Sequence, residues 1–291
     1  MTAEENPFGR ERAARLSDEE TAERMLSTGI SRVEAEGLRV SFDLLRYEEL
    51  IVQAGVARSA VYRRWPTKHH YYADLLRELA KHEFHAASLY QHHTLGMLQQ
   101  MSDTLVEQLA TQLGRHRIAA ELCRVGGAGN FLTLSESRQW RVWLTLTATL
   151  ASLPENELQS DLQASMRAAE ITFFSEIARI FDKMMAVLGY RHRVGLPGDL
   201  SQESVIQLAA SLLEGMALHE MANPDTAETR WQADPFGLGM VAEWTLPGLG
   251  FATLLLNMFE ATEQDAGDWP AEKVAERARM MEELMEELAR S

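Results

Sequence analysis

The sequence has a single cysteine, Cys123, in 291 residues. A lone thiol excludes an internal disulfide and a metal cage built of cysteines. Long apolar runs are missing too. The two best stretches, Val142–Leu153 and Gly248–Phe259, fall short of the roughly 20 residues a bilayer-spanning helix needs, and they suit buried helices. The opening residues, MTAEENPFGRERAAR, hold no apolar segment, so no secretory signal is expected. Strand-like alternation is almost absent. Together these absences point to an all-α chain expected in the cytoplasm. Basic residues are scarce: 28 Lys and Arg stand against 43 Asp and Glu, a formal net charge of −15. That balance disfavours broad coating of nucleic acid, which needs a positive face.

What is present is a large apolar complement, 46% of residues, enough for a sizeable core in one large or two ordinary domains. The charge is unevenly spread. Residues 1–92 carry 13 basic and 15 acidic groups, so nearly all the net negative charge lies beyond them. Between Arg46 and Tyr72, Arg46, Arg58, Arg63, Arg64 and Lys68 face only Glu48 and Glu49. A short basic island in an acidic protein permits DNA binding through one small face.

Helical punctuation divides the chain. Ser17-Asp18-Glu19-Glu20 is a capping box. Ala22, Met25, Leu26, Ile30 and Val33 then recur at helical spacing until Gly37 stops the helix. A second helix over 47–53 is broken at Ala54-Gly55-Val56, and a third runs from Arg58 to Trp65. Pro66 ends it, because the residue before proline avoids the α region. Thr67 is the expected N-cap of a fourth helix over 68–91. Beyond it, helices are expected at 95–113, 115–125, 136–152, 157–188, 201–221, 247–263 and 270–290. Loops are expected at Gly126–Asn130, Gly189–Leu200 and Asn223–Gly239, with Pro270 in the first turn of the last helix.

The informative stretch is YEELIVQAGVARSAVYRRWPTK, Tyr47–Lys68. Leu50, Ile51, Val56, Val61 and Trp65 are placed to face inward, and Gly55 suits a turn needing positive φ. The third helix then presents Arg58, Ser59, Tyr62 and Arg63 outward, a rod of major-groove width carrying hydrogen-bonding groups. At these residues the sequence resembles the TetR family of bacterial transcription regulators. The matching pattern is Leu50-Ile51, Ala54-Gly55-Val56, Val61-Tyr62, Arg63-Arg64, Trp65, Pro66, Thr67 and Lys68, and the likeness covers about residues 17–91.

The resemblance implies an architecture and a function. Residues 1–16 form a flexible arm. Residues 17–91 form a three-helix helix-turn-helix DNA-binding domain with a linking fourth helix. Residues 92–291 form a helical effector-binding and dimerisation domain. It implies a homodimeric regulator, expected to be a repressor released from operator DNA by a small molecule. Arg58, Ser59 and Arg63 are then expected at base edges, and Tyr62, Arg64 and Lys68 at phosphates. Arg46, where the family usually has a Ser or Thr cap, and Tyr47 beside it are expected on the same face. The pocket is expected among Met97, Met101, Phe131, Trp140, Trp143, Phe173, Phe174, Met184 and Met185, flexible and aromatic side chains that suit an adaptable apolar cavity. Helices 157–188 and 201–221 resemble the pair through which this family dimerises, and their stripes equally suit intrachain core, or both roles at once. Their apolar stripes run along Leu162, Met166, Phe173, Ile177, Phe181 and Met184, and along Val205, Leu208, Leu212 and Met216.

Catalytic patterns are not evident, and neither an enzyme nor a cofactor is expected. His82, His85 and His92 share a helix face within about 80°, but His82-Glu83-Phe84-His85 lacks the HExxH spacing. The rival reading is an all-helical small-molecule binding protein or enzyme in which the helix-turn-helix is only structural. The operator, the effector and the sign of regulation are not legible.

Overall fold

The computed structural model describes residues 16–36, 46–81, 96, 106–224 and 228–290. It is mostly helical. The chain forms two compact units, Met1–His82 with Arg141–Met166, and Glu83–Trp140 with Arg167–Ser291. Residues 141–166, which the sequence reading places in the C-terminal domain, thus belong to the first unit.

The first unit opens with α1 (Asp18–Glu36). The capping box is present: the Ser17 amide donates to Glu20 Oε2 at 2.7 Å and the Glu20 amide to Ser17 Oγ at 3.0 Å. Met25 and Val33 are buried from its inner face. Next come α2 (Tyr47–Ala54), α3 (Arg58–Arg64) and α4 (Lys68–Lys81). Gly55 ends α2 in the left-handed region, φ 65° and ψ 32°. There its amide reaches the Val52 carbonyl at 3.1 Å and the Val56 amide the Ile51 carbonyl at 3.5 Å. This is the 6→1 and 5→2 closure that a positive φ makes possible. Leu50, Val61, Trp65 and Leu75 fill the core beneath, joined by Leu146, Leu162 and Met166 from the segment 141–166. Tyr71 crosses that core and donates its hydroxyl to the Met25 carbonyl at 2.9 Å. Any side chain at Gly29 would strike that hydroxyl, a Cβ falling 2.2 Å from it.

The second unit contains α5 (Gln112–Glu136), the body of α7 (Glu157–Leu188), α8 (Gln202–Ala222), α9 (Leu246–Met258) and α10 (Ala271–Arg290). The helix α6 (Arg138–Ser152) lies mainly in the first. Ile118, Leu122, Ala178, Leu188, Val205, Ala209, Ala252, Leu255 and Leu284 share one core. Two short antiparallel ladders, unforeseen in the sequence, pin its connections. In one, β1 (Tyr190–His192) pairs with β4 (Phe259–Ala261), Tyr190 opposite Ala261; in the other, β2 (Arg230–Ala233) pairs with β3 (Ala242–Thr245), Trp231 opposite Trp244. Strands of three or four residues are too short to show a period in sequence. The helix expected over 247–263 stops at Met258, where Phe259 turns extended and begins β4.

The expected loop Gly126–Asn130 is instead the middle of α5. The glycines serve packing. A Cβ at Gly127 would lie 2.7 Å from the Phe251 Cβ and 3.1 Å from the Gly248 Cα, and one at Gly248 would lie 2.6 Å from the Arg124 carbonyl oxygen. Helices α5 and α9 therefore touch backbone to backbone. Gly126, one residue earlier, meets nothing within 4 Å. Gly127→Val is accordingly expected to destabilise by about 1–3 kcal/mol through overpacking. Gly126→Ala is expected to be neutral or stabilising, because glycine is the poorer helix former. Urea denaturation of the two variants checks the contrast, and equal effects would refute it.

Candidate functional site

The α2–turn–α3 corner decides which side chains of the basic island reach solvent. Val61 and Trp65 point inward, Trp65 lying edge-on to Tyr71 with ring centroids 5.1 Å apart. Its indole donates to Asp74 Oδ2 at 2.9 Å, which fixes the end of α3 against α4. The remaining positions of α3 fall outward. Arg58, Ser59, Tyr62, Arg63 and Arg64 are all exposed, and Lys68 is exposed at the first residue of α4. The side chains of Arg58 and Arg63 are 69% and 48% accessible. Arg46 is exposed at the start of α2, where it makes no capping hydrogen bond.

Tyr47 departs from the expectation. It is 7% exposed and belongs to the core, its ring 5.2 Å from that of Tyr71 and edge-on to Tyr62 at 5.8 Å. Burial pushes its phenol up to about 12. The aromatic cluster supplied by Tyr71 and Tyr72 of α4 draws the ring inward, so Tyr47 buttresses Tyr62 from behind.

The exposed bases of this face are paired with acids. Arg58 Nη2 and the Tyr62 hydroxyl both donate to Glu48 Oε1, at 2.9 and 2.7 Å. Arg63 pairs with Asp18, Arg46 with Glu49 at 2.8 Å, and Arg64 lies 3.9 Å from Asp74. The bond from Arg46 holds the Glu49 carboxyl below its ordinary range. Exposed pairs of this kind contribute about 0–1 kcal/mol each, so they orient the side chains without locking them.

The second unit holds a cavity of about 900 Å³, including its open mouth. Leu122, Cys123, Gly126 and Asn130 of α5 form one wall; Phe173, Ile177, Ile180, Phe181, Met184 and Met185 of α7 form the next. Ile206, Ala209, Ala210 and Leu213 of α8 and Phe251 of α9 close it. Its apolar lining is that of a small-molecule pocket. Burial pushes the Cys123 thiol up to about 12, so it stays protonated.

Of the residues expected around a pocket, Phe173, Met184 and Met185 line this cavity. Phe174 packs on the second unit's core, edge-on to Phe173 at 5.1 Å. Phe131 and Trp140 are buried but not on the wall, and Trp143 packs on the first unit's core. Met97 and Met101 lie outside the described residues, as do His82, Glu83, His85 and His92. Of the two roles open to the α7 stripe, intrachain packing is seen. Leu162 and Met166 are core of the first unit, and Phe173, Ile177, Phe181 and Met184 face the cavity. Sequence reasoning missed the α5 wall because it broke that helix at the glycines. The empty space around Gly126 is the signal it lacked.

Comparison with models of protein families, with curated proteins and with solved structures finds no significant match. Among the described residues no helix is long and apolar enough to cross a membrane, and no three His, Cys, Asp or Glu side chains gather as metal ligands do.

Proposed function

We propose that the chain is a TetR-like, helix-turn-helix transcription regulator rather than an enzyme, a repressor whose hold on operator DNA is weakened by a small molecule in the second unit. The observation that carries this reading is the sorting of α3. Its apolar residues face the core, and Arg58, Ser59, Tyr62, Arg63 and Arg64 are left on one exposed helix running towards Lys68. A helix of that width and chemistry enters a major groove, where arginine is the favoured partner of guanine. Lys68 in the first turn of α4 adds a positive charge where the helix dipole also favours a phosphate.

Two copies are needed to read paired half-sites. Ile171 of α7 and Leu208, Leu218 and Met221 of α8, between 44% and 63% exposed, are the apolar side chains this reading assigns to the homodimer. Ligand in the cavity then favours a state of the dimer with lower operator affinity.

The rival reading, a ligand-binding protein with a merely structural corner, draws on the carboxylates that already face the α3 bases. Salt separates the two. A duplex selected from a random pool is titrated by fluorescence anisotropy at several salt concentrations. Log K is expected to fall linearly with log[salt]. Lys68→Ala is expected to weaken all sequences about equally and to flatten that slope by about 0.9, one phosphate contact. If selection enriches no duplex, or if binding ignores salt, the regulator reading is lost.

A further inference from the structure

A second, smaller cavity, about 290 Å³ with its open mouth included, adjoins the first, lined by His116, Tyr190, Leu255, Leu256 and Phe259. The two share one partition, made of Ala119, Cys123, Phe181 and Met185. Of these, Met185 is an unbranched thioether with several rotatable bonds, the side chain that yields most cheaply to a guest. The main chamber and the annex are thus compartments of one elongated site. Among the described residues no aspartate, glutamate, lysine or arginine lines either. A charged ligand would leave water for an apolar wall without a partner, which is costly.

The polar atoms that end the annex are specific. The Tyr190 hydroxyl lies 2.7 Å from His116 Nδ1. Burial pushes the Tyr190 phenol up to about 12, so it keeps its proton, and we assign it as the donor because a phenol donates better than it accepts and a ring nitrogen accepts well. Burial, then the charges of Arg193 and Arg115, push the His116 imidazole down, so at neutral pH it carries one proton. With Nδ1 accepting from Tyr190, that proton sits on Nε2. No described side chain or carbonyl accepts from Nε2. His116, which lines the annex, thus has one donor that no described residue takes up, in a setting already positive.

We propose that the cavity takes an uncharged, elongated, mainly apolar molecule whose polar end is a hydrogen-bond acceptor, seated in the annex on His116 Nε2 after Met185 gives way. The assignment rests on reading the cavity as the effector site, but not on DNA binding. The same chemistry disfavours an alkylammonium head, which would be a cation beside Arg115 and Arg193 with no carboxylate on the wall to meet it.

The full chain is loaded with the neutral fluorophore N-phenyl-1-naphthylamine, which is then displaced by 2-undecanone, n-undecane, decylammonium or decanoate. The ketone is expected to displace it at about tenfold lower concentration than the alkane, the worth of one buried hydrogen bond. Both ions are expected to be weaker than the ketone. His116→Phe is expected to abolish the ketone's advantage and leave the alkane unchanged, and His116→Gln, which keeps a donor, to restore part of it. Thermal melts confirm that each variant is folded. Equal displacement by ketone and alkane overturns the proposal, as does tighter binding of either ion or a His116→Phe effect on both neutral probes alike. Failure of the fluorophore to bind at all overturns it together with the effector reading. Ketone binding through His116 that leaves operator affinity unaltered removes only the effector reading.

Discussion

Arg115→Met is expected to cost the second unit about 3–5 kcal/mol, the range for removing one member of a buried, charged hydrogen-bond network. Arg115 is 1% exposed, on the first turn of α5. Its Nη1 donates to the Leu109 carbonyl at 2.9 Å, and its Nη2 donates to the carbonyls of Asp265 and Gly267 at 2.8 and 2.7 Å. The guanidinium also lies 3.7 Å over the Trp269 ring. Methionine fills similar space but donates nothing, so the Leu109 and Gly267 carbonyls lose this donor, at about 1–3 kcal/mol each when buried, while the Asp265 carbonyl keeps the Trp269 indole at 3.2 Å. The stack over tryptophan adds about 2 kcal/mol in a desolvated site. These terms overlap, so the sum is an upper bound. Arg115→Lys is expected to recover only part, because an ammonium cannot reproduce the planar fork. Chemical unfolding of both variants measures this. A loss below about 1 kcal/mol for the methionine variant would mean the carbonyls find other donors.

The second large effect is on DNA. Under the regulator reading, Arg58→Ala with Arg63→Ala is expected to cost about 2–6 kcal/mol on the preferred duplex, at 1–3 kcal/mol for each base contact. The same double variant is expected to lose much less on unrelated DNA, so the preference itself collapses. Lys68→Ala, in contrast, lowers both together. Glu48 provides the opposite control. Its carboxylate accepts from Arg58 and Tyr62 and would stand near phosphate. Glu48→Gln is therefore expected to tighten binding by up to about fivefold, the worth of one exposed pair. Anisotropy titrations on matched and scrambled duplexes decide it. Equal losses on both duplexes for the double arginine variant would confine these arginines to the backbone or away from DNA altogether.

Local chemistry made much of the fold legible. The Ser17–Glu20 box, the Gly55 turn, the Trp65-Pro66 stop and the 157–188 helix each stand where sequence places them, because caps and breakers act within a few residues. What stayed hidden depends on distant partners. Glycines 126 and 127 read as a loop until the backbone of α9 and the cavity are known to flank them. Tyr47 reads as a surface residue until two tyrosines from α4 are brought beside it. Trp143 and Phe173 look alike in a stripe of aromatics, yet one belongs to each unit's interior. For the candidate site, the outward set on α3 follows from helical period once Val61 and Trp65 are taken as core. The acidic partners Glu48 and Asp18 do not, since Asp18 meets Arg63 across 45 residues of chain.

The two neighbouring glycines of α5 also bear on how such a protein changes under selection. At 127 there is no slack, because any added carbon meets the backbone of another helix. At 126 an added side chain grows into the hollow where a guest would lie. Ligand size can thus be retuned by single substitutions at a position the scaffold barely notices, one step along the chain from a position where it tolerates none.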